Sequence, residues 1–141
     1  MSASAFFAAR SFAVVGASPD RAKFGNQVLH WYAANRLPVA GINPKVPEID
    51  GIACHPSLAA LAAAAGSSGK LAGVSVSVVT PPAVSESVLR QAADLGVTHV
   101  WFQPGSEPDG WALLARELGI TAIGGGPCVL RVDPATLTPR L

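Results

Sequence analysis

Charge is scarce in this sequence. Only 13% of its 141 residues are charged, ten basic and nine acidic, for a formal net charge of +1. The basic residues are scattered, which argues against the clustered positive surface that duplex nucleic acid requires. Cysteine is scarcer still: Cys54 and Cys128 are the only two, far apart and without C-x-x-C spacing. Neither a structural zinc site nor a disulfide framework is expected from them, and reduced thiols in a cytosol-like compartment fit best. Long hydrophobic runs are missing as well. The longest, LAALAAAA from Leu58, is far short of a membrane span and reads as an alanine-rich helix. No acid precedes Asp20, and the opening MSASAFFAARSFAVV carries one arginine, features shared with mitochondrial presequences. The core, however, needs Phe12 to Val15, so the favoured reading is a short helix packed over a first strand in a cytoplasmic protein.

Half of the residues are apolar, and this length is enough for one self-sufficient core, so a single domain over 1–141 is expected. The pattern alternates between β-rich runs and helical periods. Strands are expected at 11–15, 38–42, 52–54, 73–79, 97–102 and 120–124. Helices fall between them: one over Phe24, Val28 and Asn35, one at 58–65 capped by Ser57 and closed by Gly66, one after Pro81 and Pro82, and one striped by Trp111, Leu114 and Leu118. Residues 67–69 (SSG) read as a loop. Such alternation implies parallel strands joined by right-handed crossovers, a Rossmann-like, doubly wound α/β sheet.

Ligands of such sheets bind beyond the carboxyl ends of the strands, so the turns there are the informative segments. After the first strand come Gly16, Ala17 and Ser18, a loop that lets backbone approach a phosphate ahead of a helix N-terminus. The full G-x-G-x-x-G is absent. After the second strand come Asn43, Pro44 and Lys45, with no acid before Glu48. An NAD site places an acid there for the ribose hydroxyl, whereas a basic residue accommodates a ribose phosphate, as in CoA or NADP. The later turns offer Thr80-Pro81-Pro82, Gln103-Pro104-Gly105 and the GGGPC of 124–128. His30, His55 and His99 join no acid or serine in a constellation that would make a base or nucleophile.

Together Gly16-Ala17-Ser18, FGN (24–26), NPK (43–45), HPSL (55–58), VTPP (79–82), WFQPG (101–105) and Gly126-Pro127-Cys128 resemble the stand-alone CoA-binding domain family, similar to the N-terminal domain of the succinyl-CoA synthetase α subunit. The resemblance covers roughly residues 10–132. It implies CoA as the cofactor, with Gly16, Ala17 and Ser18 lining its phosphates, Arg21 and Lys23 nearby, and Lys45 at the 3′-phosphate. Thr80, Pro81 and Pro82 would lie beneath the nucleotide, Gln103 to Gly105 further along, and Cys128 near the thiol end. The synthetase's phosphorylated histidine belongs to a second domain with no counterpart here, so its catalysis does not transfer. The expected function is a CoA or acyl-CoA binding module serving as sensor, carrier or subunit, with no catalytic constellation of its own. The alternative is an NADP(H)-binding reductase or redox sensor in the same cleft; a third reading is a module that binds nothing and acts as an interaction partner. The expected ligand is a small nucleotide, with neither nucleic acid nor membrane involved; no protein partner is implied.

Overall fold

The structure, a computed structural model, describes residues 3–66, 69–133 and 137; the expected 67–69 loop lies partly outside them. Alternating apolar residues in β1 (Ser11–Val15) decide how the molecule is layered. Phe12 and Val14 face one side of the sheet, Ala13 and Val15 the other, and both sides are buried. A strand covered on both faces belongs at the centre of a parallel sheet. β1 indeed lies between β2 (Val39–Ile42) and β5 (Val74–Val78), parallel to both.

The sheet continues outward through β4 (Ile52–His55) on one side, and through β6 (His99–Phe102) and β7 (Thr121–Ile123) on the other. A short antiparallel strand, β3 (Glu48–Ile49), closes the β4 edge, giving the order β3-β4-β2-β1-β5-β6-β7. Sequence reasoning missed β3. Its signal is present in Ile49-Asp50-Gly51-Ile52: Asp50 and Gly51 have φ of 51° and 85°, the positive pair that a two-residue hairpin turn requires. Cys54, on β4, is therefore one strand in from the sheet's edge. It is buried, and its Sγ would lie 2.7 Å from a Cβ on Gly41, so β2 needs glycine at that point.

One face is covered by α3 (Leu58–Ala65), α4 (Pro82–Asp94) and α5 (Trp111–Glu117). Ser57 caps α3 by accepting from Ala60 N–H at 3.0 Å, and Gly66 closes it in the left-handed conformation, as the sequence indicates. The other face carries α2 (Phe24–Ala34), the N-terminal α1 (Ala3–Phe7) and a 3₁₀ turn (Val129–Arg131). Phe6 meets Trp101 edge-on at 5.4 Å, and Phe7 packs on Phe12 at 6.0 Å. The opening residues are thus part of the core, as the short-helix reading requires. A buried polar chain threads the same face: Tyr32 Oη lies 2.6 Å from Ser77 Oγ, to which Gln103 Nε2 donates, while Gln103 Oε1 accepts from Val129 N–H at 2.9 Å. Burial holds the Tyr32 phenol neutral, well above its ordinary pKa. Gln103 thereby fastens the C-terminal turn to the sheet. Among the described residues no helix is long and apolar enough to cross a membrane.

Candidate functional site at the carboxyl edge of the sheet

The chain runs from β1 outward through β2 to β4, then returns to the other side of β1 as β5. This reversal leaves a crevice between the turns after β1 and β5, where open α/β sheets hold their ligands. A cavity of about 780 Å³ occupies it and extends toward β4. Its walls are the turns after β1, β2, β4 and β5, the first residues of α2 and α3, and one side of α4.

The loop after β1 is shaped by glycines and asparagines. Gly16 has φ +96°, and a Cβ there would stand 3.1 Å from the carbonyl carbon of Val79. A side chain at Gly25 would overlap the Gly16 carbonyl oxygen, so α2 can start against the loop only with glycine in its first turn. Close helix–strand packing is the task of the third glycine in a dinucleotide fingerprint; here Gly25 performs it nine positions after Gly16. Asn43 Nδ2 donates to Ala17 O at 3.0 Å, and Asn26 Nδ2 donates to Ser18 O at 2.9 Å. Both loop carbonyls are thus held by side-chain amides. The Ala17 and Ser18 N–H groups have no acceptor among the described residues. Asn43 Oδ1 in turn accepts from Lys45 N–H at 2.7 Å and Val46 N–H at 3.1 Å, shaping the turn after β2.

The electrostatics favour an anion. α2 opens without a side-chain cap, and its N-cap Lys23 and first residues Phe24 and Gly25 line the cavity. Uncapped first-turn N–H groups and the helix dipole attract negative charge. Lys23 is the one charged residue in the lining, which holds no carboxylate among the described residues.

Of the residues expected from sequence, Gly16, Ala17, Ser18, Lys23, Asn43, Pro44, Thr80 and Pro81 line this cavity together. Arg21 does not; its exposed guanidinium lies 3.7 Å from Asp50 in the β3–β4 turn. Lys45 is exposed one residue beyond the lining, and Pro82 is the exposed first residue of α4. Gln103 is fully buried in the polar chain described above. Pro104 and Gly105 are exposed on the β6 side, and Cys128 is half-buried at the start of the 3₁₀ turn, outside the cavity lining. His30 does have an acid partner, contrary to expectation: its Nε2 lies 2.8 Å from Asp50 Oδ2. That hydrogen bond, with Arg21 adding charge, holds the Asp50 carboxyl below its ordinary pKa. The pair joins α2 to the hairpin outside the cavity lining.

Sequence reasoning did not assign Val84, Ser87, Val88 and Gln91 to the site. They fall at i, i+3, i+4 and i+7 on α4, and the apolar pair reads as core. The polar residues interleaved on the same stripe, together with the 46% exposure of Val84, mark a wall facing open space. Phe24, Gly25 and the Pro56-Ser57-Leu58 segment also join the lining; their motifs were visible in the sequence without a role.

Comparison with known proteins agrees with this geometry. The model of the CoA binding domain family matches residues 10–132, and the chain belongs to that family. Its fold is shared by solved structures. A conserved hypothetical protein from Pyrococcus furiosus is 30% identical, with a TM-score of 0.74 over 86% of this chain and 97% of that one. A hypothetical protein from Pyrococcus horikoshii OT3 is 24% identical, with a TM-score of 0.74 over 89% of this chain and 82% of that one. A protein from Thermus thermophilus is 22% identical, with a TM-score of 0.67 over 84% of this chain and 85% of that one. No curated protein matches.

Proposed function

We propose that the cavity binds CoA or an acyl-CoA, and that the protein acts as a binding module, a sensor, carrier or subunit, without chemistry of its own. The observation that carries this reading is the joint character of the crevice in a chain of the CoA binding domain family: two unpartnered loop amides, an uncapped helix start and Lys23, with no opposing carboxylate. In this proposal the Ala17 and Ser18 N–H groups and the start of α2 receive the pyrophosphate, with Lys23 beside it and Arg21 as a second cation. Asn43 and Pro44 shape the ribose end, and Lys45 reaches the 3′-phosphate from the rim. Thr80, Pro81 and Pro82 support the nucleotide from below. The pantetheine arm crosses β5 toward Pro104, Gly105 and Cys128, while Gln103 fixes the backbone beneath them.

Calorimetric titration of the full chain with CoA, acetyl-CoA, dephospho-CoA, NADP and NAD tests this. CoA is expected to bind more tightly than dephospho-CoA, because a charge-assisted contact to the 3′-phosphate contributes roughly 1.5–3 kcal/mol. Lys45→Ala should remove that preference. Binding of NADP with no response to CoA would replace the proposal with the reductase or redox-sensor reading.

A further inference from the structure

A second groove, of about 630 Å³, lies at the opposite edge of the sheet and shares no residue with the first. Its floor is β7, the unpaired edge strand, and its walls come from α5 on one face and from Ala3 and Pro127 on the other. Residues along a parallel ladder alternate in the side to which their N–H and C=O point. Thr121 N–H donates to Thr98 O at 2.8 Å, so Thr121 and Ile123 pair with β6 and Ala122 turns both backbone groups outward into the groove. Edges left unpaired on their outer side are templates for another strand.

Two observations select the occupant. Ala122 is only 8% exposed although it sits at an edge: its side chain packs in the core, and its outward groups lie at the floor of the groove. A narrow occupant, a single extended chain, suits such a recessed floor better than a second copy's β7, which carries its own α5 beside it. The lining also carries one charge, exposed Arg116 at the end of α5, which has no acidic partner among the described residues. An occupant with a carboxylate would complement it. We propose that the groove takes up an extended, acidic peptide segment of a partner protein, which pairs with Ala122, places apolar side chains against Trp111, and sets a carboxylate on Arg116. Strand addition to a sheet edge beside a helix is an established mode of peptide recognition: backbone bonds give affinity, and alternate side chains give specificity. The three residues of β7 offer about 10 Å of edge, enough for a short motif. This site is independent of the nucleotide cavity.

The test is fluorescence polarisation of the full chain with the blocked peptide fluorescein-Val-Glu-Val-Glu-Val-amide. A Lys-for-Glu version and one N-methylated at alternate backbone positions serve as controls. The Glu peptide should bind at least tenfold tighter than either control, and Arg116→Glu should reverse the preference between Glu and Lys. Ala112→Trp, an exposed α5 position on the groove wall, should abolish binding while circular dichroism stays unchanged. Ala122→Pro removes the outward donor without touching the ladder to β6; should that variant not fold, the N-methylated peptide probes the same hydrogen bonds from the ligand's side. No binding of the Glu peptide, or equal binding of the N-methylated one, would overturn the proposal. So would a dimer in analytical ultracentrifugation that Ala112→Trp dissociates, since the groove would then serve a second copy.

Discussion

The carboxyl edge of the sheet has two halves built from the same residue types and put to opposite use. The turns after β1 and β5 are rich in glycine and proline and open into a cavity. Those after β6 and β7, Gln103-Pro104-Gly105 and Gly124 to Pro127, are equally rich and are tied shut. Glu107 accepts from Gly105 N–H through one carboxylate oxygen and from Gly125 N–H through the other, both at 2.9 Å. Ser106 Oγ donates from within the same turn, lying 2.7 Å from Gln103 O and 3.0 Å from Val78 O. On the open half, asparagine side chains hold the loop carbonyls and leave amides free; on the closed half, a carboxylate occupies the amides. A glycine-rich turn therefore says little about a ligand until the partners of its N–H groups are known.

The largest effect is expected from closing the open half at its hinge. Gly25→Ala drives a methyl group into the Gly16 carbonyl, backbone that cannot yield cheaply. Overpacking of this kind costs about 1–3 kcal/mol, and CoA binding should be lost with it. Chemical denaturation and calorimetry on the same sample separate the two effects. Gly16→Val adds a left-handed φ to a close contact with Val79 and should behave similarly.

Next in size is the contrast between Lys23 on the open half and Glu107 on the closed one. Lys23→Ala should weaken CoA binding about tenfold, in keeping with loss of one charge-assisted contact at a partly solvated site, and leave stability unchanged. Glu107→Ala should do the reverse. It removes two hydrogen bonds to exposed amides that water can then solvate, for a loss of about 1 kcal/mol in thermal or denaturant unfolding, with CoA affinity within twofold of wild type. If Glu107→Ala instead changed affinity as strongly as Lys23→Ala, the two halves would not be functionally distinct.

The fold and one half of this contrast were legible in the sequence, for identifiable reasons; the closing of the other half by Glu107 was not. Strand and helix periods mark the doubly wound sheet because its central strands are apolar on both faces and its turns are punctuated by glycine and proline. That Gly16, Asn43 and Thr80 line the crevice was legible because topology alone places the ends of β1, β2 and β5 there. Residues whose role depends on packing between distant elements were not. Gly25 looks like an ordinary helix residue until the Gly16 carbonyl is seen against it. Gln103 sits in a turn yet is spent on Ser77 and Val129, and no spacing rule announces that. Val84 and Val88 carry a core-like period although their face of α4 borders the cavity.

The smallest expected effect concerns the rim. Asp50 joins Arg21 and His30 across the hairpin, and its carboxyl titrates below its ordinary value. A carboxylate with a lowered native pKa adds stability at pH above its unfolded value, near 3.8, and loses it as the pH falls through the native one. Asp50→Asn keeps a residue that tolerates the left-handed turn and should flatten the acid side of the stability–pH curve slightly, leaving neutral-pH CoA affinity within about threefold. Urea melts from pH 2 to 7 check this.

The division of the edge is tested most directly by amide chemical-shift perturbation in the ¹⁵N-labelled protein titrated with CoA. The expected result is large shifts at Ala17, Ser18, Gly25 and Thr80, with Gly125 nearly unmoved and Gly105 affected only weakly through the pantetheine arm. Dominant shifts at Gly105 and Gly125, with the loop after β1 silent, would contradict it and move the ligand to the half that Glu107 closes.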